Sequence, residues 1–304
     1  MKQLFVYHPE IVEALASDKP VVALESTVIT HGLPYPENVK TAVSMETAVR
    51  DGGAIPATIA IIRGKIHIGL TPDQIEQLGQ QPRETVRKCS RKDLPIALAK
   101  QENGATTVAG TMILAHMAGI PIFATGGIGG VHRGHPFDIS ADLTELGRTP
   151  IAVVSSGAKS ILDLPATQEV LETNGVPVIG YETNEMPAFF ARSSGLPVTA
   201  RVDSPQEAAA IINARKALQL QSGILITVPV PQAYAADGEK METAIQQAVQ
   251  EADAQGIHGP SATPWLLSRV AALTGGESMQ ANVALLQNNG RIAAQIATQL
   301  SQPH

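Results

Sequence analysis

A single cysteine, Cys89, stands in a chain of 304 residues. It has no partner for an intrachain disulfide, and a zinc site built mainly from thiolates is not possible. Charge is scarce as well. Asp, Glu, Lys and Arg make up 16% of the chain and the net charge is -6. That balance offers no broad basic field, so nucleic acid is not an expected partner. A thinly charged surface is often hidden between subunits, which points towards a homo-oligomer. No apolar run reaches the length of a membrane span. The opening MKQLFVYHPEIVEAL also lacks the apolar core and small-residue cleavage site of a secretory signal. The expected setting is therefore the cytoplasm, without a membrane partner.

Several familiar catalytic signatures are missing too. The chain has no G-x-S-x-G and no H-E-x-x-H. Ser156-Gly157-Ala158-Lys159 satisfies S-x-x-K, but its companions S-D-N and K-T-G are absent, which leaves little for a serine acyl-enzyme. His8 and His304 lie near the termini, and His67 and His116 sit in apolar patterns. Structural or solvent-exposed roles are expected for these four. No internal repeat, low-complexity stretch or long linker divides the chain, so one domain over residues 1–304 is the simplest organisation.

What is present is a 44% hydrophobic chain, long enough to bury roughly three quarters of its unfolded surface. Short β-branched runs predict buried strands at Pro20–Leu24, Ala57–Ile62, Lys65–Ile68, Pro121–Ala124, Ile151–Val154, Pro177–Ile179 and Gly223–Val228. Arg63-Gly64 reads as a hairpin turn between the second and third. Helical patterns cover Pro36–Gly52, Pro72–Leu78, Thr107–Met117, Ile161–Asn174, Ser204–Leu218, Lys240–Gln255, Pro264–Thr274 and Ser278–Leu300. Thr71, Pro72 and Gln74 carry the signature of a capping box. Strands alternating with helices predict an α/β protein with a largely parallel sheet and helices on both faces. Ligands of such sheets gather beyond the carboxyl ends of the strands.

Five segments could carry chemistry. Glu25 in ALESTVITHG stands at a strand end. It is either a partly desolvated carboxyl that exchanges protons or a solvated acid. The run Arg87-Lys88-Cys89-Ser90-Arg91-Lys92 is either a phosphate grip or a solvated turn. Four glycines within Gly126–Gly130 would let backbone N–H groups reach an anion, with His132 and Arg133 beside them; a tight turn is the plainer reading. Asp138 and Asp142 would share one face if their segment were helical. Their hard oxygens suit Mg²⁺ or Mn²⁺, unless they are a helix cap and surface acids. Lys159, among small residues after a buried strand, is either a poorly hydrated nucleophilic amine or a lysine that snorkels to water.

Together these segments resemble the pseudouridine-5'-phosphate glycosidase family, also described through its indigoidine synthase A relatives. The matching text includes ALESTVITHGLPYPENV, GGAIPATIAIIRGKIHIGL, KCSRKDLP, NGATTVAGTM, FATGGIGGVHRG, FDISADL, SGAKSILDL, GVPVIGYET, MPAFFARSSG, HGPSATPWLLSRVAALTGG and ANVALLQNN. It runs in order from about Pro9 to about Thr298. The resemblance implies an α/β/α sandwich with a mixed, largely parallel central sheet, a homotrimer, and one divalent metal, usually Mn²⁺. It implies reversible cleavage of pseudouridine 5'-phosphate to uracil and ribose 5-phosphate through a lysine–ribose imine. By motif, Lys159 falls at the nucleophile and Glu25 at the proton donor. Lys88 and Val108 fall at substrate-binding positions, as do Ser140, Ala141 and Asp142. Asp138 falls at the metal position, and His132 and Asn282 are further substrate contacts. Two rivals stay open. One is another lysine-dependent sugar-phosphate lyase, and the other is a sensor that binds such a ligand without turnover.

Overall fold

The computed structural model describes residues 4–257, 259 and 262–301. His304 and part of the HGPSATP stretch lie outside the described residues. Along the chain, β1 (Phe5–Tyr7), α1 (Pro9–Ala16) and β2 (Val21–Leu24) lead to α2 (Glu37–Asp51). The hairpin of β3 (Ile55–Ile62) and β4 (Lys65–Ile68) is followed by α3 (Pro72–Gln80). Next come β5 (Val86–Cys89), α4 (Leu94–Ala99), β6 (Asn103–Thr106) and α5 (Val108–Met117). After β7 (Ile122–Ala124) a second hairpin, β8 (Val131–His132) and β9 (His135–Ile139), precedes α6 (Ala141–Leu146). Then β10 (Ala152–Ser155) and β11 (Leu162–Asp163) run into α7 (Leu164–Thr173). The chain continues with β12 (Val178–Tyr181), β13 (Ala200–Val202), α8 (Pro205–Ala217) and β14 (Ile224–Thr227). It ends in α9 (Gly238–Ala254), α10 (Ala262–Leu273) and α11 (Glu277–Leu300).

Among the described residues, eleven strands form one sheet in the order β1-β4-β3-β2-β7-β10-β14-β12-β13, with β6 and then β5 attached to β3. Every pairing in it is parallel except β3 with β4 and β3 with β6. The sheet is thus mixed and largely parallel, as expected. Residues Val21–Leu24 and Ala152–Ser155 are buried throughout, as central parallel strands covered on both faces must be. The turn at Arg63-Gly64 has positive φ at both residues, 47° and 69°, the signature of a type I′ hairpin. The capping box at Thr71 and Gln74 is formed.

Helices cover both faces. On one, the long α11 packs with α2 and α8 and crosses β2, β7 and β10. Its approach to α2 is close enough that a Cβ on Gly52 would meet the Arg291 carbonyl oxygen at 2.7 Å. On the other, α5 lies on β2, β3, β6 and β7 and adjoins α6, which adjoins α7. One contiguous core runs from Ile11 to Ala297.

Two local expectations change. The helix predicted from Ile161 begins at Leu164, because Leu162 and Asp163 pair as β11 with β8. Lys159 is therefore on a loop. Asp138 and Asp142 do not share a helical face either, since Asp138 lies on an edge strand and Ser140 caps a new helix, accepting from the Asp142 N–H at 3.2 Å.

Candidate active site

At the carboxyl ends of the parallel strands lies a cleft of about 1000 Å³. Nine of the expected site residues line it: Glu25, Lys88, Val108, His132, Asp138, Ser140, Ala141, Asp142 and Lys159. Asn282 does not. It is half-buried on α11, outside the lining. The polar contact that α11 makes beneath the cleft comes from Asn289, two turns further on. Its fully buried amide donates to the carbonyls of Thr125 at 2.9 Å and Gly126 at 3.4 Å and to the Ser156 hydroxyl at 3.2 Å. Asn289 thereby ties the end of β7 to the end of β10. In the sequence Gln287, Asn288 and Asn289 follow one another, so no local signal singles Asn289 out.

Glu25 follows β2 directly, and its side chain is buried. The hydroxyls of Thr27 and Thr125 donate to its two carboxylate oxygens. Burial pushes the Glu25 carboxyl above its ordinary value, against the opposing pull of Lys159 and of the Thr125 hydroxyl. Asp142 pushes it in the same direction as burial, and Lys88 opposes. Threonine hydroxyls can donate or accept, so the pair can follow a change in the protonation of Glu25.

Lys159 reaches the cleft from a loop held at several points. Its N–H donates to the Ile128 carbonyl at 3.1 Å, and the Ile128 N–H donates to the Gly157 carbonyl at 3.0 Å. The Leu162 N–H closes on the Lys159 carbonyl at 3.0 Å. Gly157 permits this turn: its φ is +78°, and a Cβ there would meet the Pro187 carbonyl oxygen at 2.5 Å. Lys88 enters from β5. Burial lowers its ammonium below the usual lysine range, and the charge of Lys159 lowers it further. Asp142 and Glu25 act the other way.

The glycine run binds an anion, but one from this chain. The Gly129 N–H donates to one oxygen of the Asp142 carboxylate at 2.8 Å, and the Ala109 N–H at the start of α5 donates to the other at 2.9 Å. Asp142 thus joins a helix N-terminus to the glycine loop. A Cβ on Gly129 would meet the Ser140 hydroxyl at 2.2 Å and the Asp142 carboxylate at 2.9 Å, so only glycine fits. Arg133 is not a phosphate ligand. Its guanidinium is spent on Glu242 and on two backbone carbonyls. Nor is the basic run a uniform grip: Arg87 pairs with Glu102 at 2.5 Å and Arg91 with the buried Glu145 at 2.6 Å. Both still line the cleft, together with Lys88, Lys92 and Arg148.

Asp138 stands on β9 with its side chain 36% exposed, and His132 Nδ1 is 4.0 Å from its carboxylate. Burial holds the His132 imidazole below its ordinary value. Among the described residues no three His, Cys, Asp or Glu side chains converge as a metal-binding group. The donor set at Asp138 is one hard carboxylate in an open setting. It fits an ion such as Mn²⁺ or Mg²⁺ that keeps much of its water, and it does not fit structural zinc.

A lysine, a buried carboxyl that favours its proton and a second cation converge on one cleft in this fold. The family model for indigoidine synthase A-like proteins matches residues 10–299. The chain belongs to the indigoidine synthase A-like, pseudouridine-5'-phosphate glycosidase family. Among the relatives of this family, the pseudouridine-5'-phosphate glycosidase of Geobacillus kaustophilus is 54% identical over 99% of this chain and 100% of its own. That of Solibacter usitatus is 55% identical over 96% and 98%. Among solved structures, the prealnumycin C-glycosynthase AlnA, in complex with ribulose 5-phosphate, superimposes with a TM-score of 0.90 at 42% identity, covering 98% of this chain and 97% of AlnA. An indigoidine synthase A-like protein of Thermotoga maritima gives 0.89 at 36% identity, with the same coverage.

Proposed function

We infer that this chain cleaves the carbon–carbon glycosidic bond of pseudouridine 5'-phosphate to uracil and ribose 5-phosphate, in a reaction that runs both ways. The observation that carries this reading is the meeting of Lys159, Lys88 and the buried Glu25 in one cleft, in a chain of this family. No heteroatom joins ribose C1' to uracil C5, so the scheme in which a protonated oxygen or nitrogen leaves fits poorly. An amine supplies another route.

In the mechanism we propose, Glu25 gives its proton to the ribose ring oxygen as the C1'–O4' bond opens. The neutral Lys159 amine forms a bond to C1', and the proton it sheds returns to Glu25. Uracil C5 then takes a proton from Glu25. The C1'–C5 bond breaks as the lysine nitrogen's electron pair forms the iminium, and uracil departs. Water adds to the iminium carbon and releases ribose 5-phosphate and the neutral amine, and the proton set free returns to the Glu25 carboxylate, which restores both groups. The raised pKa of Glu25 supports its starting role as an acid. Lys88 and the backbone around Val108 would hold the phosphate, so that binding far from the reacting carbon orients it. Ser140, Ala141 and His132 would contact the remainder of the substrate. Asp138 would hold the divalent ion, which would supply Lewis-acid charge or ordered water to the site.

The chain's low charge, and exposed Phe137 and Ile139 beside the cleft, support a subunit interface, and a homotrimer is proposed from the family resemblance. A cytoplasmic setting is proposed with it; among the described residues no helix is long and apolar enough to cross a membrane. One observation favours a second reading. AlnA holds a ketose phosphate, so a lysine-dependent lyase of ketose phosphates would also use this cleft. The test is incubation with pseudouridine 5'-phosphate and Mn²⁺, following loss of the substrate spectrum and appearance of uracil. Turnover is expected. No uracil, with borohydride-trapped adducts formed only from ribulose 5-phosphate, would favour the second reading.

A further inference from the structure

We propose that Arg133 is a positioning residue for Lys159. The proposal rests on the reading of Lys159 as nucleophile. Arg133 follows β8 and is absent from the cleft lining. Its Nε donates to the Leu162 carbonyl at 3.1 Å and its Nη2 to the Ser160 carbonyl at 2.9 Å. These carbonyls belong to the stretch immediately after Lys159. The other side of the guanidinium meets both oxygens of Glu242 on α9, at 2.5 and 3.1 Å.

The nucleophile loop is therefore held on two flanks. Before Lys159, Ile128 bridges the chain at Ala158. After it, the Arg133 side chain grips two of the loop's carbonyls. A planar fork suits that task, because its donors leave in fixed directions; an ammonium could not reproduce them. Arg133 also sits between the loop and the α9–α10 unit, which brings Gly259 and Thr263 to the cleft wall. A second contact, His135 to Asp253 at 3.3 Å, joins the same hairpin to α9. The fork on Ser160 and Leu162 sets the amine's approach to C1', and the Glu242 pair braces it.

The test uses the full chain with Mn²⁺ and pseudouridine 5'-phosphate, measuring kcat, KM and the single-turnover rate of the borohydride-trapped lysine adduct. Arg133→Met should lower kcat and the adduct rate together by about 30-fold, with KM within about threefold, as loss of near-attack geometry does. Added guanidinium ion should restore several-fold activity to Arg133→Met. Glu242→Gln keeps the fork and should lie within about threefold of the parent. If Arg133→Met does not fold, Arg133→Lys, which keeps the charge without the fork, should show the kcat loss. An unchanged adduct rate in a folded Arg133 variant, or a Glu242→Gln loss equal to that of Arg133→Met, would overturn the proposal. Lys159→Ala separates this result from the parent reading: if that variant turns over, the nucleophile assignment fails, whatever Arg133 does.

Discussion

Replacing Asp142 tests how the site is held. Its carboxylate accepts the N–H groups of Ala109 and Gly129 at 2.9 and 2.8 Å, in a side chain that is 6% exposed. Asp142→Ala would take the acceptor from the buried Ala109 N–H and from the half-buried Gly129 N–H, which lines the cleft. The buried group costs about 2 kcal/mol and the partly solvated one about 1 kcal/mol, so the loss should be about 3 kcal/mol. Asp142→Asn keeps one acceptor oxygen but turns an amide N–H towards the other donor, for a loss of about 2 kcal/mol. In a chain of this length, about 2–3 °C of melting temperature is expected per kcal/mol, giving falls of about 8 °C and about 5 °C. Asp138→Asn is the control. Asp138 is more exposed, has no such backbone pair, and should leave melting nearly unchanged. Differential scanning calorimetry without substrate reads all three. Melting of Asp142→Ala within about 2 °C of the parent would refute the claim that this carboxylate joins α5 to the glycine loop.

Glu25→Gln should remove turnover, since the amide cannot give up a proton, while raising stability most at high pH. The sign follows from its raised carboxyl: folding favours the proton, so the contribution of Glu25 is fully favourable below the ordinary carboxylate value and is lost as pH rises. Melting curves at pH 5 and pH 8 check it; equal gains at both would contradict it. Burial pushes the Cys89 thiol to about 12, so a thiol reagent at pH 8 should modify it only on unfolding, as mass spectrometry with and without denaturant would read. Chelation should abolish activity and added Mn²⁺ restore it, with Asp138→Asn needing at least about tenfold more metal; rates unchanged in excess chelator would remove the metal from the account.

The fold was legible where burial and turn chemistry agree. Val21–Leu24, the Arg63-Gly64 hairpin and the box at Thr71 all announce themselves locally. β5 was hidden because Arg87 and Lys88, directed to the cleft and its rim, break the apolar pattern of a strand otherwise anchored by Val86 and Cys89. α1 carries readable signs, His8 as cap and Pro9 at its start. β8, β9 and β11 are too short and too polar to show a period; the local hairpin creates β9, and β11 exists only through its pairing with the distant β8. The same limit applies in the cleft. Glu25, Lys88 and Lys159 stood out in their motifs, whereas the Asp142 carboxylate's use of Gly129 and the Arg133 fork depend on contacts between distant segments. Thr125 could have been found from its place at the end of β7. Nothing local distinguishes Asn282, outside the cleft lining, from the buried Asn289 on the same helix.

The most direct measurement is borohydride reduction during turnover of pseudouridine 5'-phosphate, followed by peptide mass spectrometry. The account predicts a ribose-phosphate adduct on Lys159 alone, and neither adduct nor uracil from Lys159→Ala. An adduct on a different lysine, or near-normal uracil release by Lys159→Ala, would contradict it.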